Sequence, residues 1–121
     1  MYKILILLLI LIYPIQVFAH EHLEKEYQEL WCTQHNGIME YQLKDGARVD
    51  CLTEEYAIEF DFAQKWAESL GQALYYGIQT HRNPAIVLIM EHPFKEQRYL
   101  RRLTTVTEQL NIKVWIMTGL R

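Results

Sequence analysis

Asp50-Cys51-Leu52-Thr53-Glu54-Glu55-Tyr56-Ala57-Ile58-Glu59-Phe60-Asp61-Phe62 is the stretch that decides the fold of this chain. It reads as the end of one strand, a polar turn at Glu54-Glu55, and a second strand over residues 56–60. Strand alternation puts Tyr56, Ile58, Phe60 and Phe62 on one face of the second segment, and Ala57, Glu59 and Asp61 on the other. In the first segment the same rule puts Arg48, Asp50 and Leu52 on one face, with Val49 and Cys51 opposite. If the two strands pair, Asp50 and Glu59 converge. Crowded carboxylates repel one another unless a proton or a metal ion sits between them.

Working outward, residues 62–80 have the periodicity of a helix, with Trp66, Leu70, Ala73, Leu74 and Gly77 as the buried stripe. Lys65, Gln72, Tyr76 and Gln79 fall within about 40° of each other on the helical wheel, beside that stripe. Asp61 and Gln64 have the spacing of a capping box. Upstream, residues 38–43 and 47–52 read as a hairpin turned by Lys44-Asp45-Gly46. Ahead of it a helix over residues 21–34, with Leu23, Tyr27, Leu30 and Trp31 at helical spacing, ends at Asn36-Gly37. Downstream of the Asn83-Pro84 loop, residues 85–90 form an apolar run typical of a strand buried on both faces. Pro93 opens a helix to about Leu110, with Leu100, Leu103, Val106 and Leu110 inward and Asn111 as its stop. A last strand covers residues 112–118. The predicted fold class is α/β, a mixed central sheet flanked by helices in the order αβββαβαβ.

Acidic side chains at a strand pair suit hard divalent cations such as Mg²⁺ or Mn²⁺, which prefer oxygen ligands. A cation so held polarises a phosphoryl group and activates water. A lysine on the adjoining helix would neutralise the charge that develops on phosphorus. Asp50, Glu59, Asp61, Lys65, Gln72 and Tyr76 are therefore the candidate catalytic residues, and the first three the candidate metal ligands. The chemistry they suit is metal-dependent hydrolysis of a phosphodiester.

The pattern resembles the PD-(D/E)XK nuclease superfamily, in particular its RecB-like and Holliday-junction-resolvase-like members. The resemblance spans roughly residues 21 to 118. Asp50 stands where the family's metal-binding Asp closes the second core strand, and Glu59 where its second acid lies on the third. Gln72-Ala73-Leu74-Tyr75-Tyr76 resembles the family's Q-x-x-x-Y motif. The resemblance implies a restriction-endonuclease-like core, an Mg²⁺ or Mn²⁺ cofactor and nucleic acid, DNA or RNA, as the partner. It also implies a metal contact from the Phe60 carbonyl and a further acid from Glu24 or Glu40. Two positions depart from the pattern: no proline precedes Asp50, and Asp61 occupies the usual lysine position, where family members either keep an acid or amide and still cleave, relocate the lysine to the following helix, as Lys65 would be, or lose activity and only bind. The alternative on the same fold is a non-catalytic module that binds nucleic acid or protein.

The chain has 121 residues, enough for one domain. Residues 1–19 read as a secretory signal peptide: Lys3, an apolar run from Ile4 to Ile12, Pro14, and small residues leading to Ala19. An uncleaved anchor is the other reading, although the run is short of the ~20 residues a span needs. Residues 20–121 would then form a single exported domain, periplasmic or secreted, with no stable membrane association after cleavage. Without Lys3, 11 basic residues stand against 15 acidic ones, a net of −4. Attraction to a polyanion therefore needs a local basic patch or a bound metal. Lys95, Arg98, Arg101 and Arg102 form the densest such patch and are the candidate nucleic-acid contacts. Cys32 and Cys51, the only two cysteines, form a disulfide or stay as buried thiols. A chain beginning His20-Glu21-His22 would also have the amine–amide–amide–imidazole order that wraps Cu(II), or be a plain frayed terminus.

Overall fold

The computed structural model describes residues 19–120; the predicted signal peptide otherwise lies outside them. Helix α1 (Glu24–Gln34) leads into strands β1 (Ile38–Gln42), β2 (Arg48–Leu52) and β3 (Tyr56–Phe62). A 3-10 turn, Ala63–Lys65, precedes α2 (Trp66–Thr80); β4 (Asn83–Ile89), α3 (Pro93–Leu110) and β5 (Lys113–Met117) follow. The five strands form one open mixed sheet in sequence order. β1–β2 and β2–β3 are antiparallel; β3–β4 and β4–β5 are parallel. The chain is therefore an α/β protein, with αβββαβαβ order.

The sheet has two covered faces. Ile58, Phe60, Ala85 and Val87 pack under Trp31 of α1. Ile86 and Leu88 pack under Ala73 of α2 and Leu103 of α3. β4 is buried on both sides from Ala85 onward, as its unbroken apolar run requires. Each Ile, Leu or Val so removed from water stabilises the fold by roughly 1.5–3 kcal/mol. Gly46 at φ 91 closes the β1–β2 turn in the left-handed region that glycine enters without strain. Cys32 and Cys51 form a disulfide that joins α1 to β2. Gly37 lies against it: a Cβ there would stand 2.3 Å from Cys51 Sγ and 2.6 Å from Cys32 Sγ.

Several local expectations are corrected. α1 begins at Glu24 rather than at residue 21, and Leu23 is its exposed N-cap residue rather than a residue within the helix. The reason is tertiary: residues 20–22 are non-helical, bending at Glu21 and His22, and are tied to Glu91 by hydrogen bonds that a further helical turn would forfeit. β3 continues through Phe62, so Asp61 is a strand residue and makes no capping box; Gln64 donates instead to Glu96 (3.1 Å). Lys65 is the N-cap residue of α2, and the 3-10 turn removes it from the wheel shared by Gln72 and Tyr76. Leu110, predicted inward, is half exposed at the last turn of α3, and Thr107 is buried nearby.

The alternation of β2 also breaks. Val49 packs with Ala57 and Tyr76 on the α2 side, whereas Cys51 packs with Trp31 and Ile58 on the α1 side. The β2–β3 ladder holds only Cys51↔Ile58 and Leu52↔Ala57. Beyond it Asp50 Oδ2 accepts the Phe60 N–H at 2.8 Å, a side chain standing in for a backbone carbonyl. Opposite Asp50 on β1, Glu40 has φ 52, a left-handed conformation rare for a residue with a Cβ.

A buried acidic pair at the β2–β3 junction

The site is built where the antiparallel ladder ends. Alternation in β3 carries Ala57, Glu59 and Asp61 to the α2 side, as expected, and Glu59 and Asp61 are both buried (4% and 5% exposed). The kink in β2 brings Asp50 to the same place. The two carboxyls bear directly on one another, and the Asp50 charge favours the protonated form of Glu59. Burial first, then the Asp50 charge, pushes Glu59 far above the carboxylate range. Burial also raises Asp50, against the bond from the Phe60 N–H. Burial and the charge of Glu24 push Asp61 up to about 7, with Lys65 pulling the other way.

Other predicted residues arrange themselves around this pair. Tyr76, 8% exposed, packs on Val49 and Ala57, and its hydroxyl pKa is raised to about 12 by burial and then by the charges of Glu59 and Asp50. Lys65 is exposed at the head of α2, near enough to Glu24 and Asp61 to favour their charged forms. Gln72 is exposed one turn before Tyr76 and makes no side-chain hydrogen bond among the described residues. Glu24, at the start of α1, bears on Asp50, Glu59 and Asp61, and Glu40 bears on Asp50. Glu24 is itself raised, chiefly by burial.

Sequence inspection missed two residues. Gln28 is 4% exposed and donates to Glu24 Oε1 (3.1 Å); its signal was the i, i+4 spacing on one face of α1. Among the described residues, Gln28 Oε1 and Glu59 Oε2 are the only buried side-chain oxygens or nitrogens without a hydrogen-bond partner. Glu91 is the second. It accepts from Tyr27 Oη (2.8 Å), the Glu21 and His22 N–H groups (2.9 and 3.2 Å), and pairs with His20 Nδ1 (2.8 Å). No local motif marks it, because its partners lie more than 60 positions away.

The donor set suits a hard cation in kind. Two oxygen-bearing acids meet, one oxygen lacks a partner, and Mg²⁺ needs only one or two protein carboxylates when waters and substrate phosphates complete its shell. Among the described residues no three His, Cys, Asp or Glu side chains converge closely enough to hold a metal alone. The Cu(II) arrangement at His20–His22 does not fit. The two amides it would have to deprotonate are both donating to Glu91, and His20 stacks on Phe62 (3.5 Å, 8°) rather than fraying.

Lys95 and Arg98 line a depression of about 720 Å³ together with Lys65. Arg101 and Arg102 are exposed farther along α3. Among the described residues none of these cations is ion-paired with a carboxylate, and no helix is long and apolar enough to cross a membrane. No family model, curated protein or solved structure matches this chain.

Proposed function

We propose that the protein is an exported, metal-dependent nuclease that hydrolyses phosphodiester bonds of DNA or RNA on a restriction-endonuclease-like core. The observation that carries this reading is the meeting of Asp50 and Glu59 in a buried place where Glu59 Oε2 has no partner. A buried, unpartnered acceptor is costly unless something fills its need.

In this reading Asp50 and Glu59 hold Mg²⁺ or Mn²⁺, with Asp61 beside them. The cation, when bound, supplies charge for the phosphoryl oxygens and lowers the pKa of a water. Asp61, poised near neutrality, accepts the proton that the attacking water gives up. Lys65, the lysine relocated from the position Asp61 occupies, offsets negative charge at the phosphoryl group. Tyr76 closes the α2 side against water, and Gln72 at the rim orients the substrate backbone. The Asp50 carboxylate is fixed by the Phe60 N–H, so less freedom remains to be lost on binding.

The test is cutting of plasmid DNA and of a structured RNA by purified protein with Mg²⁺ or Mn²⁺. Cutting that needs the cation and disappears in Asp50→Ala supports the reading. Protein inert on both polymers with both metals overturns it. One feature favours the non-catalytic alternative: burial and the Asp50 charge hold Glu59 toward its protonated form, which lets the two acids coexist without an ion. A protein that binds nucleic acid, ignores Mn²⁺ and cuts nothing would support that second reading.

A further inference from the structure

The depression at the head of α3 has a charge pattern of its own. It lies between the 3-10 turn and the start of α3, with Phe62, Lys65, Lys95, Arg98 and Tyr99 in its wall. Two carboxylates, Glu91 and Glu96, also border it, but both are occupied. Glu91 accepts from Tyr27 and from the strap at residues 20–22. Glu96 accepts from Gln64 Nε2 (3.1 Å) and from the His92 N–H (2.6 Å). The cations are exposed and free of carboxylate partners, while the acids are turned inward and satisfied. An incoming anion therefore meets positive charge.

The wall is also partly preorganised. Arg98 Nη2 donates to Tyr99 Oη at 2.8 Å, and its guanidinium lies 4.7 Å from the centre of the Tyr99 ring. A pinned guanidinium loses less conformational freedom on gripping a phosphoryl oxygen than a free one. Lys65 belongs to both places: it lines the depression and bears on Asp61 and Glu24.

We propose that this depression is a phosphoryl-binding subsite, in which Lys65, Lys95 and Arg98 seat a phosphate of the nucleic-acid strand. The choice of nucleic acid as the source rests on the nuclease reading; the phosphoryl chemistry rests on the depression itself. The phosphate is either a terminal monoester or an internal diester of the strand.

The experiment measures binding of fluorescent single-stranded oligonucleotides with and without a 5′-phosphate, in EDTA, to protein expressed from the full coding sequence. Lys95→Glu/Arg98→Glu is expected to weaken binding of the phosphorylated strand at least tenfold and to lower its salt dependence by about one unit per lost contact. Inorganic phosphate is expected to compete with wild-type binding. Tighter binding of the phosphorylated strand assigns a terminal monoester, and equal binding of both an internal diester. Lys44→Glu, in the β1–β2 turn and outside the depression, is expected to change affinity less than threefold. Equal losses in Lys44→Glu and the double variant would overturn the subsite in favour of diffuse attraction, and unchanged affinity in the double variant would overturn it outright. Strand binding without any cutting would sink the hydrolytic reading and leave the subsite standing, whereas cutting with affinity indifferent to Lys95 and Arg98 would do the reverse.

Discussion

Asp50 and Glu59 lie nine positions apart in sequence, yet the Asp50 charge bears on Glu59, because Asp50 Oδ2 takes the N–H of the next residue, Phe60, at 2.8 Å. The bond sits where the β2–β3 ladder stops. It replaces the next backbone pairing of the two strands with a side chain held close to the buried Glu59.

Glu59→Gln keeps the shape and removes the ionisable group. Since Glu59 holds its proton far above the usual range, the amide should change the melting temperature of the metal-free protein by less than a few degrees. Mn²⁺ affinity and cutting should both fall, cutting by at least 100-fold. Calorimetric titration and plasmid nicking check the two. A variant that cuts like wild type would remove Glu59 from the site.

Stability should fall as pH rises from about 4 to above 7 in the absence of metal. The Asp61 pKa is raised from 3.8 to about 7, so in this window the folded protein binds more protons than the unfolded chain. Its contribution is most favourable at the acid end and is lost through neutrality, and raised Asp50 and Glu59 act in the same direction. Asp61→Asn should flatten the slope in thermal melts, and Mn²⁺ should reverse it. Glu91 opposes the trend at low pH. Burial works to raise it, but bonds from Tyr27, His20 and the His22 N–H leave it lowered, so its contribution is present above the ordinary carboxylate range and lost as pH falls below it.

Glu91→Gln should loosen the strap. The amide keeps one acceptor oxygen but turns an NH₂ toward donors that had a carboxylate. A loss of about 2 kcal/mol is expected from charge-assisted bonds of this kind. Hydrogen exchange at the Glu21 and His22 amides should accelerate while β4 stays protected. Unchanged exchange there would mean the bonds are not what holds the strap.

Removing the Cys32–Cys51 bridge, by reduction or by paired alanine substitution, should cost about 3 kcal/mol for a loop of this length. The urea midpoint reads this directly. Mn²⁺ binding should weaken as well, because the bridge ties α1, which carries Glu24, to the strand that carries Asp50.

Much of the layout was legible because it is written in local pattern. The apolar run of β4, Pro93 at the start of α3, Asn111 at its end and Gly46 in the hairpin each follow from a rule about a few adjacent residues. The alternation that sends Glu59 and Asp61 to one face of β3 is equally local. What was not legible depends on partners far along the chain. The late start of α1 answers to Glu91, and the kink at Asp50 to Phe60 and to the left-handed Glu40 across the ladder. The 3-10 turn before α2 hid in a helical pattern because Ala63, Gln64 and Lys65 favour either form. For the site, residue types indicated acids meeting in space, while Gln28 and the settled state of Glu91 and Glu96 needed coordinates.

Gly37 gives the bridge a hereditary signature. No side chain can be added at that position while two sulfurs occupy the space a methyl would claim. Descendants of this chain that keep the cysteines must keep the glycine, and lineages that abandon the pair are released from it. The three positions should drift through evolution as a single locked character, recognisable even where the acids have changed.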